Sequence, residues 1–490
     1  MRKPIALFIV IFLLIGFCSC SGSKPNGAAP GEQTKQSGQT DQSGKTEAAA
    51  ETEGAQTNGS AATGKTEIKD PQTTSALEDL KAGDKFTFGK WEQDGNMSNG
   101  AEPVTWIVIR QDVGKALVLS EKILEYMCMQ NGTEENKYPR ALYKDSDLRT
   151  FLNGEFYNNA FSGSEKAMIG TSKIVTKYKD EHYNALTYET EDKVFPLSRD
   201  EAARYVCGVG TIVHGIPTAY VDGEHPYSSS SISGVSGVDK VMTWWLRDMS
   251  GEPSKEAAVI YASETQKYTN DLEVYKEAGV RPAMWIVYNE ADANGYAEGK
   301  VQPKEDAKLN ANIAALKVGG KLQFGVYDKN LYSMDGFEPL VWTVIEEYDD
   351  CYLLISDTIA GSTTYAFDDK GGDDTTWAQS SLRQLINSGE FLDMTFTPQE
   401  KAKLIITHVV STGEDERNGG DATDDLLFIP DITEIEKYSG QISAGIGYKY
   451  WLRSQRSWAP YMAYVSGSGD VYSSRPGETY SIRLMATIKK

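Results

Sequence analysis

A domain-length pattern written twice in one chain requires a fold that uses the same core solution twice. The stretch LKAGDKFTFGKWEQDGNMSNGAEPVTWIVIRQDVGKALVLSEKIL begins at Leu80, and LKVGGKLQFGVYDKNLYSMDGFEPLVWTVIEEYDDCYLLISDTIA begins at Leu316. They align without a gap at an offset of 236: Gly83, Phe88, Gly89, Glu102, Pro103, Trp106 and Ser120 recur as Gly319, Phe324, Gly325, Glu338, Pro339, Trp342 and Ser356. Further on, Leu148-Arg149 and Asn153 recur as Leu382-Arg383 and Asn387, and Glu155-Phe156 as Glu390-Phe391. Trp245-Leu246-Arg247 recurs as Trp451-Leu452-Arg453, and Arg281 as Arg483. Each copy has the size of an ordinary domain, and two long copies are not a solenoid. The organisation expected is a first repeat domain over 77–290, a linker over 291–313 and a second repeat domain over 314–490.

The segment before the repeats does different work. Arg2 and Lys3 precede an uncharged apolar run from Ile5 to Phe17, too short to span a bilayer, which takes about 20 residues. Basic start and short apolar run read as a secretory leader. Cys20 lies between Ser19 and Ser21, a lipoprotein cleavage pattern in which residues 1–20 are the leader and Cys20 is lipidated. Phe17 stands where Leu is usual, and Cys18 is a rival. Residues 21–76 are rich in Gly, Ser, Thr, Gln and Ala and hold no aromatic residue, so they cannot bury enough apolar area to offset ordering entropy. They read as a disordered tether with a reach of about 40 Å, from ~5–6 Å × √n. Leader, anchor and tether place the work outside the cytoplasm, lipid-anchored to the cell membrane.

Charge and cysteine usage narrow the partners. A net charge of −21 argues against nucleic acid and against an anionic membrane face. Beyond Cys18 and Cys20 the cysteines are Cys128, Cys207 and Cys351, an odd number without C-x-x-C spacing, so neither a disulfide framework nor a zinc site is expected.

Local signals give an α+β class. Phe86 and Phe88 alternate as in a strand, and Val104–Arg110 and Ala116–Ser120 read as two more strands. Leu148, Phe151, Leu152 and Phe156 fall at helical spacing. Ser162-x-x-Glu165 and Ser198-x-x-Glu201 are capping boxes, rewritten in the second copy as Thr397-x-x-Glu400 and Asp431-x-x-Glu434. Strands alone are expected after these helices, including a hairpin turning at Gly467–Asp470.

The offset drops from 233 at Tyr205 and Tyr438 to 206 at the Trp-Leu-Arg, so the first copy carries 27 extra residues between them. This Ser/Gly-rich segment over 206–243 holds His214 and His225 and is a candidate binding loop. Tyr220, Tyr227, Trp244, Arg247, Arg453 and Trp458 are candidate ligand contacts, because aromatic faces stack on sugars and apolar side chains and Arg adds a planar fork. An exposed aromatic groove near 206–243 is the expectation. The alternative reading puts the tryptophans in the core and pairs the arginines internally, with a carboxylate such as Glu102 or Glu155.

Catalysis has little to stand on. The four histidines, His182, His214, His225 and His408, do not correspond between copies, and no nucleophile elbow, zinc-protease or P-loop motif occurs. No catalytic residue, cofactor or metal site is assigned. The acidic loop 367–377 lacks EF-hand spacing and reads as solvated.

The end of the first copy, IPTAY, WWLRD, AAVIYA and GVRPAMWIVY, resembles the bacterial domain of unknown function 6273, together with Leu197–Glu201 and Leu148–Asn153. The resemblance spans both copies and implies a domain of surface and secreted proteins without an established activity. Two departures stand out. Asp248-Met249 replaces the family's Ser-Pro, and the second copy lacks the Pro-Thr-Ala-Tyr segment and the Pro of its closing strand. The ending is loosely similar to the C-type-lectin-like and formylglycine-generating-enzyme group, a likeness of fold that carries no function. The function expected is non-enzymatic: two related domains presented to an extracellular glycan or protein. A structural module of the envelope and a carboxylate-site enzyme are the alternatives.

Overall fold

The computed structural model describes residues 77–490 except 208–211, 225–230, 233–240, 250, 263–266, 329–335, 358–363, 371–374, 414–418 and 457–460. The described residues lie in one compact unit, Gly64–Lys490. The leader, Cys20 and the tether fall outside them, as do Tyr227, His225 and Trp458.

The architecture is α+β and rich in strands. In the N-terminal half, Lys85–Trp91, Glu102–Asp112, Lys115–Ser120 and Ala283–Val287 form an antiparallel four-stranded sheet in that order. In the C-terminal half, Lys321–Asp328, Phe337–Glu347, Cys351–Ser356 and Met485–Lys489 pair in the matching order, and Leu404–Ile405 adds a fifth strand. The last strand of each half closes the sheet against the third. Sequence-distant segments meet there because the third strand of each sheet is buried almost along its whole length and the last strand covers it. Trp106 and Trp342 are fully buried. Each indole donates to the neighbouring strand, Trp106 Nε1 to Phe88 O at 2.7 Å and Trp342 Nε1 to Phe324 O at 2.6 Å.

A bulge follows each of these phenylalanines. The register shifts between Thr87 and Lys90, and between Gln323 and Val326. Gly89 (φ +69°) and Gly325 (φ +77°) sit inside the bulges, where an added Cβ would lie 2.6–2.8 Å from the rings of Phe161 and Phe396. Both the positive φ and the close approach require glycine.

All four capping boxes form, at Ser162/Glu165, Ser198/Glu201, Thr397/Glu400 and Asp431/Glu434. Two of them also hold the bulges. Glu165 Oε1 accepts from Gly89 N and Glu400 Oε1 from Gly325 N, each at 2.8 Å. The helical spacing at Leu148–Phe156 is realised as Asp147–Phe151 continuing through a wider π turn, Leu152–Phe156, into Tyr157–Ala160. The hairpin appears as Met462–Val465 paired with Val471–Ser474.

Strands alone do not follow the capping boxes. A short helix, Ala219–Glu224, lies within the extra segment of the N-terminal half. Thr218 Oγ1 accepts from Val221 N at 3.3 Å, so the threonine of Pro-Thr-Ala-Tyr starts a turn of helix. Residues 291–313 contain parts of two further helices, Glu290–Ala297 and Ala307–Ala314, capped by Asn289 and Asp306. Leu309 and Ile313 are buried in the C-terminal core. No helix among the described residues is long and apolar enough to cross a membrane.

Candidate functional site

The repeated Trp-Leu-Arg faces inward. Trp244, Trp245 and Trp451 are fully buried, and Arg247 and Arg453 nearly so. Trp245 Nε1 donates to Met127 O and Trp451 Nε1 to Tyr365 O, both at 2.8 Å. Arg247 bonds Glu201 at 2.5 Å and the carbonyls of Val175 and Pro196 at 3.0 Å. Arg453 takes both oxygens of Glu434, at 2.6 and 2.7 Å, and the Ile429 carbonyl at 2.7 Å. Trp244, Arg247 and Arg453 therefore face the interior rather than the surface, and Arg453 Nε is buried without a hydrogen-bond partner among the described residues. The carboxylate partners are the capping-box glutamates, not Glu102 or Glu155. Arg281 is held without a carboxylate contact among the described residues. Its guanidinium donates to the carbonyls of Ser120, Glu121 and Ile212, over the Trp244 ring at 4.9 Å, and burial pushes its pKa down to about 9.

The extra segment is stitched down where it is described. Ile123 N donates to Ile216 O at 2.8 Å, Met242 N to Gly215 O at 2.8 Å, and Trp244 Nε1 to Val213 O at 3.2 Å. Tyr220 is half-buried, with its amide on Gln93 O at 2.9 Å. The segment thus supplies part of the cage around Arg281. His214 is buried within it.

Carboxylates gather in two other places. Glu92, Asp94 and Glu102 place oxygens within 4.8 Å of one another. Each already accepts a local amide: Gly95 N on Glu92, Asn96 N on Asp94, and Gln93 N on Glu102. In the acidic loop, Asp368 turns inward and accepts from Thr375 and from the Ser381 amide, at 3.2 and 3.3 Å.

The two halves meet at a contact that borders clefts walled by both. Arg204 Nε donates to Met394 O at 2.9 Å, Tyr205 OH to Asp393 O at 3.4 Å, and Arg110 lies 3.7 Å from the Asp393 carboxylate. The helix Gly389–Thr395 of the C-terminal half is thereby seated on the N-terminal half. The contact is not reciprocal. Glu346 stands where the repeat places Arg110, and it is bonded within its own half to Lys437 at 2.8 Å and to Tyr438.

Alongside this contact lies a cavity of about 430 Å³. Lys177 and Asp200 come from the N-terminal half; Asp328, Phe337, Tyr365 and Glu390 come from the C-terminal half. Val326, Leu340, Phe391 and Leu484 extend its apolar wall. Such a volume at a junction of domains is typical of small-ligand sites.

Its polar groups are positioned from behind. Lys177 forms an ion pair with Asp200, which sits in the first turn of Arg199–Ala202. Buried Asp248 accepts from Lys177 N at 3.0 Å and Arg199 N at 2.7 Å, so it ties the strand bearing Lys177 to the helix bearing Asp200. Its counterpart in the repeat, Ser454, accepts from Ile432 N at 2.9 Å. Burial pulls against the Lys177 ammonium, but Asp200 outweighs it and the net shift is upward. Glu390 follows the Ser388 cap, and burial of its carboxyl pushes it above the usual carboxylate range although the residue is exposed at the rim. Burial, with Asp200 adding, pushes Tyr365 up to about 12.

Of the candidate ligand contacts read from sequence, the described ones, Tyr220, Trp244, Arg247 and Arg453, do not line this cleft; Tyr227 and Trp458 lie outside the described residues. The sequence does single out Glu390-Phe391, as the recurrence of Glu155-Phe156. Phe156 is fully buried while Phe391 lines the cleft.

Residues 113–288, within the N-terminal half, match the family model described as Domain of unknown function (DUF6273). The C-terminal half lies outside the matched residues, and it is the half without the Pro-Thr-Ala-Tyr segment. No curated protein and no solved structure matches the chain.

Proposed function

We propose that the chain is an extracytoplasmic binding protein, anchored through Cys20, tethered by residues 21–76, and built from two copies of one domain that jointly form a ligand cleft. The observation that carries the reading is the cavity of about 430 Å³ walled by both halves, with Lys177, Asp200, Asp328 and Glu390 at an apolar surface. Support for two copies comes from paired contacts: the two indole bonds, the two bulge glycines under phenylalanines, and two arginines on capping-box glutamates. A pure spacer for the envelope would have no use for such a cavity. Its size suits a sugar, a small molecule or one protruding side chain better than a flat protein face.

The test is binding of the full chain, purified in detergent, to an array of glycans, cell-wall fragments and small metabolites, beside Thr187→Trp. Thr187 is exposed and lines the cavity, so an indole there fills it without entering the core. Binding that the substitution abolishes supports the reading. Binding that it leaves untouched moves the site elsewhere, and absence of binding by the folded chain favours the spacer. A carboxylate-site enzyme is the second reading, favoured by the raised pKa of Glu390 in a cleft that also holds Asp200 and Asp328. It requires that a bound compound be turned over, which mass spectrometry of the incubated hits decides.

A further inference from the structure

We propose that the cleft takes a small organic cation, an amine or guanidinium carried on an apolar body about the size of one aromatic ring. This rests on the reading of the cleft as the ligand site. The cleft is lined by the carboxylates of Asp200 and Glu390 and by one ammonium, Lys177. That ammonium is already paired with Asp200. An anionic ligand would meet no uncommitted cation among the described lining residues. Glu390 is the opposite case: among the described residues it accepts no hydrogen bond and forms no ion pair, and Lys177 and Arg247 only attenuate the effect of its burial. A neutral ligand covering Glu390 would strip water from a carboxylate without replacing it, which is costly. A cation supplies the missing counter-charge.

The walls fit the rest of such a ligand. Phe337, Tyr365 and Phe391 offer aromatic faces, which attract ammonium and guanidinium groups as well as apolar rings. Val326, Leu340 and Leu484 complete a surface more apolar than polar. The chain's net charge of −21 raises the local concentration of cations over that of anions.

The experiment is calorimetric titration of the full chain in detergent at pH 7 with three ring compounds of nearly equal size: benzylammonium, benzyl alcohol and phenylacetate. Benzylammonium is expected to bind at least tenfold more tightly than the other two. Glu390→Gln is expected to lower its affinity about tenfold while leaving benzyl alcohol unchanged, and Thr187→Trp to abolish binding. A Phe-Lys dipeptide amide, run beside benzylammonium, tells whether the cation is preferred free or on a peptide; tight binding of either one supports the proposal.

Equal or tighter binding of the alcohol or the anion overturns it. So does cation binding indifferent to Glu390→Gln in a variant whose circular dichroism is unchanged. Failure of all three compounds also overturns it. If array ligands nevertheless bind in a manner blocked by Thr187→Trp, the cleft reading survives and only the cationic chemistry falls.

Discussion

Oε2 of Glu201 accepts from Arg247 Nη1 at 2.5 Å and from the Ser198 amide at 2.8 Å. One carboxylate oxygen thus closes a helix start and neutralises a buried cation 46 residues away. Oε2 of Glu434 does the same with Arg453 and the Asp431 amide, at 2.6 and 2.9 Å. Removing such a carboxylate leaves a desolvated guanidinium. Glu201→Ala is expected to cost about 3 kcal/mol, the low end of the range for breaking a buried pair, since the glutamate side chain is 20% exposed. Replacing both partners, as Glu201→Leu with Arg247→Met, is expected to recover part of that loss. Urea unfolding of the single and double variants checks both; a double variant no better than the single would mean that the carbonyls of Val175 and Pro196 matter more than the pair.

Gly325 is expected to tolerate no side chain. Its φ of +77° brings strain, and a Cβ there would sit 2.7 Å from the Phe396 ring, which adds overpacking. Gly325→Ala should destabilise the C-terminal half by about 2 kcal/mol or more. Thermal melting followed by tryptophan fluorescence reads it, because Trp342 pairs with this bulge.

The seat between the halves is held by few groups. Arg204→Ala removes the bond to Met394 O and the guanidinium that lies 5.6 Å from the Phe337 ring centroid. Losing one charge-assisted bond, about 1.5 kcal/mol, corresponds to an approximately tenfold increase in opening. Hydrogen exchange should show faster amides across 389–395, with the four-stranded sheet of the N-terminal half unchanged.

Acid should weaken the C-terminal half through Asp431. Burial alone would raise its pKa, but hydrogen bonds from Thr412 and the charge of Arg453 outweigh it, and the net shift is downward. The folded state therefore binds fewer protons there than the unfolded chain. The stabilisation is complete above the ordinary Asp value of about 4 and is lost as pH falls through the lowered folded value. The melting temperature of Asp431→Asn should lie below that of the native chain at pH 7, and the gap should narrow below about pH 4. Glu390, shifted upward, has the opposite sign: its protonation in the folded state favours folding between the ordinary and the raised value.

The recurring motifs, the capping boxes, the first three strands of the N-terminal sheet and the closing hairpin were legible in the sequence because each is set by local spacing. A capping box needs two residues three apart, and a strand needs alternating or continuous apolar positions. Asn153 and Asn387 were legible only as recurrences. Their role required the fold: each side chain bonds the backbone of a distant segment, Asn153 to Val194 O at 2.9 Å and Asn387 to Leu427 O at 2.8 Å. Trp244, Arg247 and Arg453 were visible as chemically capable residues, but capability does not state which way a side chain faces. The cleft was not legible at all. Lys177, Asp200, Asp328, Tyr365 and Glu390 are spread over more than 200 residues, and they converge because Arg204 and Tyr205 seat one half on the other. Sequence alone determined which local pieces form and that they recur; the tertiary structure decided which faces are buried and where the halves meet, since those depend on packing between segments whose separation no short-range pattern records.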